Sequence, residues 1–429
     1  MARCGESPRT NAAKDPGPPY VCVGMRRSLS LALLVGALAV PLPASAESWC
    51  ASPLHAHEWG VQAFSADGAP LAPALSNHFH RAPSTHPPSH TPPVRSLPPD
   101  TGERALPLLH FYSGGTLTSG PIPVAVEVGF TEGDALAWYP QVDERRPAAT
   151  ANGAAARLAR EALLRRRAAL QPHATARTGL DGDPTAQLVW NALSLTPEPQ
   201  HRPTRADAAW VDRFRDFGAL WVNGARESER FVFYEAVTHE RVALELTRGD
   251  RYRPDHRHFV LRNRGAHAVH DVFVTHRERD RVFVFFAPSI PAGRSAGFVL
   301  EAHAVTDVLP WSAGSAADFI AATRARLRER LVDADSPTPP TSMQWSRDDC
   351  VMMRDPAIPT TTAEGHRLYA HEVDAILDVW ASTFFGSPGT TIVYREDPAY
   401  LDRAMPLSIY TDMYNHVKLR RLGLAVWRL

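Results

Sequence analysis

From His258 to Ala302 the chain reads FVLRNRG, VHDVFVTH, RVFVFFAP and FVLEA, short runs rich in Val and Phe with turn residues such as Asn263-Arg264-Gly265 and Pro291-Ala292-Gly293 between them. β-Branched and aromatic side chains alternating with polar ones suit a pleated, half-buried strand. Runs of this length, each closed by a turn signal, pair as antiparallel strands. This segment therefore predicts an immunoglobulin-like sandwich over 251–304, without giving the strand order.

The same reading extends to both sides. Residues 47–80 carry one strand segment, HAHEWGVQAF, stopped by Asp67-Gly68. Residues 81–100, RAPSTHPPSHTPPVRSLPPD, are too rich in proline for helix or interior strand, because proline fixes φ and donates no backbone hydrogen bond. They predict a surface loop. LPLLHFYS and IPVAVEVGF, with Gly114-Gly115 and Gly120 between them, open a β-rich domain over 101–250 that continues through Asp134 to Gln141, Gln187 to Leu195 and Phe231 to Tyr234. One helix is inserted near 153–171, where GAAARLAREALLRRRAALQ combines strong helix formers with arginines that read as a solvated face.

Beyond Ser315, the apolar spacing of Phe319, Ile320, Leu327 and Leu331 predicts a helix. A second helix, capped by Thr361 or Thr362, buries Leu368, Tyr369, Val373, Ile376, Leu377, Trp380 and Phe384 and stops at Gly386. Strands at Thr390 to Tyr394, Pro406 to Tyr410 and Val417 to Arg428 complete an α+β unit over 315–429. The expected fold class is mainly β, a β-sandwich of immunoglobulin-like architecture with a C-terminal α+β unit.

Residues 1–46 read as a pre-sequence and signal peptide. Arg26 and Arg27 form the charged start, Leu29 to Val40 the apolar middle and Ala44-Ser45-Ala46 the cleavage site, with Met25 as the expected true start. The apolar run is too short for a membrane helix, and Cys50 follows Trp49 rather than the small residue a lipid-modified cysteine requires. The mature chain is thus expected to be periplasmic or secreted with no stable membrane anchor. In such an oxidising compartment Cys50 and Cys350 predict one disulfide. A formal net charge of +0 argues against a nucleic-acid partner. Lys14 and Lys418 are the only lysines, so the positive charge is almost all Arg, as a GC-rich coding bias produces.

Chemistry-bearing patterns are incomplete. His55 and His57, and likewise His78 and His80, form His-x-His pairs that a strand would present on one face to a metal, a weak expectation because no third rigid ligand is evident. His-Glu dipeptides at 57, 239 and 371 lack the second histidine of a zinc-protease helix, since Val61, Ala243 and Ala375 stand there. Gly293 to Gly297 matches Gly-x-Ser-x-Gly in a turn between strands, the wrong setting for a nucleophile elbow. Asp181-Gly182-Asp183 lacks the further ligands of a calcium loop. No cofactor is implied.

The motifs HEWG at 57–60, Phe111-Tyr112, WYPQ at 138–141, FVFY at 231–234 and MPLSIY at 405–410 occur in an order that resembles a group of uncharacterised secreted bacterial proteins with HEWG shortly after the signal peptide. That group usually reads Gly-Thr-Phe-Thr where this chain has Gly60-Val61-Gln62-Ala63, and Arg-Gly where it has Glu235-Ala236. The resemblance implies shared fold and export, with no activity to transfer.

Together these features lead to an exported, non-enzymatic protein that binds a glycan or protein through aromatics at Trp59, Tyr112, Trp138, Tyr139 and Tyr234. Rings of this kind stack on sugar faces. The alternative is a hydrolase of extracellular polymer with Glu58 as general acid or base, assisted by His57 or Glu235. Metal binding by the His-x-His pairs comes third.

Overall fold

The alternating runs fold into strands, and the strands assemble into sheets that mix distant parts of the chain. The structure, a computed structural model, describes residues 50–51, 53–68, 78–82, 107–114, 120–131, 134–147, 154–170, 176–178, 184–205, 209–237, 241–248, 256–278, 281–301, 316–340, 345–346, 363, 365–411 and 417–429. The signal segment 25–46, most of the loop 81–100, Thr361, Thr362 and Cys350 lie outside the described residues.

The largest sheet has nine strands. In spatial order they are β16 (Arg281–Ile290), β15 (Val269–Glu278), β19 (Gly389–Glu396), β21 (Val417–Arg428), β2 (Leu54–Phe64), β4 (Leu108–Tyr112), β12 (Val232–Val237), β6 (Asp134–Tyr139) and β3 (His80–Arg81). Neighbours run antiparallel except β2 and β21, which pair in parallel from Leu54 opposite Val417 to Phe64 opposite Trp427. A seven-stranded sheet contains β11 (Ser228–Glu229), β10 (Trp221–Asn223), β9 (Ala186–Thr196), β5 (Ile122–Phe130), β20 (Leu407–Tyr410) and β8 (Ala176–Arg177), with β7 (Glu144–Arg146) also on β9. Three strands, β13 (Leu244–Arg248), β14 (His256–Asn263) and β17 (Ser295–Glu301), form a smaller sheet. The short β1 (Cys50–Ala51) pairs with β18 (Trp345–Ser346). The helices are α1 (Ala154–Leu170), α2 (Ala209–Arg215), α3 (Ala316–Leu331), α4 (Ala370–Val379) and α5 (Pro398–Ala404).

The nine-stranded sheet is the middle layer. On one face Trp59, Val61, Leu422 and Leu424 meet Phe214 of α2, Leu331 of α3, and Ile376 and Trp380 at α4. On the other, Leu54, Ala56 and Leu419 pack on Val126, Trp190 and Ile409 of the seven-stranded sheet. Farther along that face Phe64, Ala425 and Trp427 meet Leu261 and Phe298 of the three-stranded sheet. Each large apolar side chain buried here contributes roughly 2 to 3 kcal/mol.

The mainly β character expected from the sequence holds, and α1 forms at the inserted position, with Leu163 its one buried side chain among those described. Sheet membership, however, crosses the expected boundaries. Segment 101–250 supplies strands to all three larger sheets. Within 251–304, β15 and β16 join the nine-stranded sheet while β14 and β17 pair with each other and with β13. Within 315–429, β19 and β21 sit at the centre of the nine-stranded sheet and β20 lies in the seven-stranded one. Alternation marks which face of a strand is apolar; it does not choose the strand's neighbours. Among the described residues no helix is long and apolar enough to cross a membrane.

Candidate functional site

Successive residues of a strand point to opposite faces, and this divides the HEWG motif. His55, His57 and Trp59 of β2 lie on the helix-covered face, and Glu58 lies on the face that meets the other sheets. His57 and Glu58 therefore belong to two separate buried polar clusters.

Glu58 sits in a closed ion-pair network. Parallel pairing puts it opposite Arg421, whose Nε donates to Glu58 Oε2 and whose Nη2 donates to Oε1 at 2.9 Å. Tyr234 also donates its hydroxyl to Oε1. The remaining guanidinium donors reach Asp402 Oδ1 at 3.0 Å, Thr178 Oγ1 at 3.1 Å and the Met405 carbonyl at 2.9 Å. All five N–H groups of a buried arginine are thus used, which is the condition under which burying the charge is tolerable. Burial opposes the charge on Arg421, yet Glu58 and its other partners raise its pKa above the usual value. Glu58 is buried and held by Arg421, so it is not an exposed acid or base facing a cleft.

The other cluster gathers on Glu372 of α4. His57 Nδ1 lies 2.7 Å from Glu372 Oε2, Tyr112 donates its hydroxyl to Oε1 at 2.7 Å, and the Tyr369 amide donates to Oε2 at 2.9 Å. The Tyr369 hydroxyl is 2.9 Å from His55 Nδ1. Pairing of β2 with β4 brings His110 opposite His57 and Tyr112 opposite His55. Burial would raise the Glu372 pKa, but the His57 ring, His110 and the Tyr112 hydroxyl outweigh it and hold the carboxylate at about 2. Burial lowers His110 to about 4, leaving it neutral at neutral pH, and lowers His371 as well. Among the described residues His57 Nε2 and His371 Nε2 are buried without hydrogen-bond partners, and the His110 ring has at most a long approach to the Phe214 backbone.

The remaining expected site residues are dispersed. Trp59, Tyr112, Trp138, Tyr139 and Tyr234 are 1%, 2%, 5%, 1% and 0% exposed, so the expected aromatic binding surface is interior, with its rings spent on packing between layers. Glu235 follows Tyr234 and leaves β12 on the side away from Glu58; burial alone drives its pKa well above the ordinary carboxylate value. Glu58 and Glu235 thus do not face each other across a common cleft. His80 pairs with Glu227 at 2.8 Å and stacks on Tyr139, as His78 also does edge-on, far in register from His55 and His57. Among the described residues no group of three or more His, Cys, Asp or Glu is arranged to hold a metal. Cys50 pairs through its backbone with Ser346, four residues before Cys350.

A concave site does occur elsewhere. A cavity of about 350 Å³ opens beside the three-stranded sheet, between Arg241 and Ala243, the turn at Gly265 to Val269, the end of β19 and α5. Phe64, Val269 and Tyr394 form its buried floor, and Arg241, His267, Tyr400 and Arg403 stand around it. Asp397, also in the wall, accepts from the Ala399 amide at 2.9 Å and lies 2.9 Å from His270 Nε2. Burial would raise its pKa, but these contacts lower it, so it is ionised and engaged.

No family model matches this chain, and no curated protein does.

Sequence reasoning found His57 and Glu58 but assigned them jointly to one site. It missed Glu372, Arg421 and the cavity. A signal for the first was present: Glu372 stands three residues after Tyr369 and four before Ile376, on the apolar stripe of α4, where a charged residue needs a partner. Arg421 likewise occupies a buried position in an otherwise apolar strand. The cavity walls come from five separate stretches of chain, and no local pattern announces such a convergence.

Proposed function

We propose that this is an exported binding protein whose ligand site is the cavity between Arg241 and Ala243, the turn at Gly265 to Val269, the end of β19 and α5. The observation that carries the proposal is the combination of a buried apolar floor at Phe64, Val269 and Tyr394 with a polar and aromatic rim, the composition of small-molecule sites generally. It retains the expectation of a glycan or protein-derived ligand but moves the site away from Trp59. Thermal-shift screening against mono- and disaccharides and short peptides tests it, with Ala266→Trp as the cavity-filling control. The expected result is a rise in melting temperature that Ala266→Trp abolishes while its own melting temperature is unchanged. A shift that survives Ala266→Trp would place binding elsewhere and overturn the reading.

A second reading, hydrolysis, is supported by the His57 and Glu372 pair. A carboxylate orienting one imidazole nitrogen while the other stays unpaired is how a general base is prepared. Glu372→Gln tests it by loss of any hydrolytic activity detected on polymeric substrates.

Further proposals concern the chain itself. Periplasmic or secreted location rests on the signal-like run at 25–46. A Cys50–Cys350 disulfide is supported by the pairing of β1 with β18 near Cys350, and non-reducing mass spectrometry that found both thiols alkylated would exclude it. The resemblance to HEWG proteins is supported by the landmarks HEWG, Phe111-Tyr112 and FVFY lying in or against β2, β4 and β12, adjacent strands of one sheet. The immunoglobulin-like reading of 251–304 is kept as one of local packing, in which Phe259 and Phe298 face Phe285 across two sheets. The C-terminal α+β unit is kept likewise, as α3 and α4 packed on the sheet that holds β19 and β21.

A further inference from the structure

We infer that the ligand of this cavity carries an oxyanion, held by Arg403 and Arg241 beside a ring face at Tyr400; the inference rests on the binding reading above and names its ligand class. The charges of the cavity are unequally available. Arg403 is exposed, lines the cavity and has no hydrogen bond or ion pair among the described residues. Arg241 is also exposed and spends one donor on the Asp67 carbonyl at 3.2 Å. With five donors on each guanidinium, most of this hydrogen-bonding capacity faces solvent.

The acidic groups of the wall are turned to other work. Asp397 is shared between His270 and the first turn of α5. Glu396 folds its carboxylate over the backbone of β21, so closely that a Cβ at Gly423 would come within 2.6 Å of Oε2. The site therefore offers cation outward and anion inward. A neutral ligand would leave Arg403 and most donors of Arg241 without an anionic partner, whereas a carboxylate or phosphate accepts two parallel N–H bonds from one guanidinium. Tyr400, half-buried with its ring 6.0 Å from that of His267, supplies a flat apolar surface next to the charge. The matching ligand is a small ring bearing an acid, of which an acidic sugar is the simplest member.

Isothermal titration of the full chain with D-glucuronate, D-glucose and inorganic phosphate separates the alternatives. Glucuronate is expected to bind about tenfold or more tighter than glucose, since a charge-assisted hydrogen bond contributes at least that factor. Arg403→Gln, which removes no side-chain hydrogen bond or ion pair among the described residues, should erase that difference, and 0.5 M salt should reduce it. Phosphate binding as tightly as glucuronate would keep the oxyanion and identify a phosphorylated ligand instead. Equal affinity for glucose and glucuronate would overturn the inference and leave the binding reading intact. Binding of none of the three, with no thermal-shift ligand either, would remove both.

Discussion

The two faces of β2 bury polar groups in opposite ways. On the sheet-covered face, Arg421 has a partner for each of its five N–H groups, and Glu58, Asp402, Thr178, Tyr234 and Met405 are drawn together across four elements. On the helix-covered face, Glu372 is equally well satisfied, but the imidazoles around it keep unpaired nitrogens. The first arrangement is a cross-brace with nothing left to offer. The second holds titratable capacity in reserve at the boundary between α4 and the sheet. Adjacent residues in one motif therefore differ in what they can do, and the difference comes from strand geometry rather than residue type.

Removing the centre of the brace should have the largest effect. Arg421→Met leaves Glu58 and Asp402 buried without their cation and is expected to cost roughly 3 to 5 kcal/mol in urea denaturation. A loss below about 1 kcal/mol would mean that water reaches Glu58, and the contrast between the faces would disappear. Adding Glu58→Gln to that variant should recover part of the loss, because one uncompensated charge is removed.

Acid should act on the other face. His110 titrates at about 4 when folded against roughly 6.5 in the unfolded chain, so the unfolded state takes up the proton first as pH falls. Its contribution is therefore complete above pH 6.5 and is lost progressively down to about 4, on the order of 3 kcal/mol in all. His366, also lowered to about 4 by burial and the nearby Arg395, and His371 add in the same direction. His110→Phe should flatten the fall in melting temperature between pH 6.5 and 4; an unchanged slope would show that His110 is already solvated.

Much of the fold was legible because local pattern decides element type. Val417 to Arg428 is a strand with the bounds its alternation suggested, and α1 starts and stops within a residue of the expected positions. The site was less legible because its partners are remote. Glu58 and Arg421 are 363 residues apart, and His57 and Glu372 are 315 apart. Aromatic residues near a carboxylate read equally well as a sugar platform or as the filling between layers, and Trp59 packed edge-on to Phe214 shows the latter. The second helix begins at Tyr369, with Glu372 closing back on its amide, so the polar signal that ends the preceding loop is the glutamate itself.

Smaller substitutions sharpen the comparison. Glu372→Gln keeps an acceptor for the Tyr112 hydroxyl or the Tyr369 amide but loses the charge opposite His57, with an expected cost of about 1 to 2 kcal/mol. Urea denaturation of that variant measures the cost, and an unchanged midpoint would mean that the contact between His57 and Glu372 adds nothing to stability. Gly423→Ala places a methyl against Glu396 Oε2 and Leu401 and is expected to cost about 1 kcal/mol, read as a shift in the urea midpoint. An unchanged midpoint would show that Glu396 swings freely into the cavity.

The parallel pairing of β2 with β21 also sets a timetable. Bringing those strands together closes a loop of 363 residues, an entropic cost on the order of 5 kcal/mol that must be met before either strand gains a neighbour on that side. During synthesis β2 emerges long before β21, so Leu54, Ala56 and Trp59 can gain their earlier neighbours on β4, β5 and α2 while the other edge of β2 stays unpaired until residues 417–428 have been made. The parallel seam in the middle of the main sheet therefore has to wait for residues 417–428, and a strand pair so distant in sequence is slow to form.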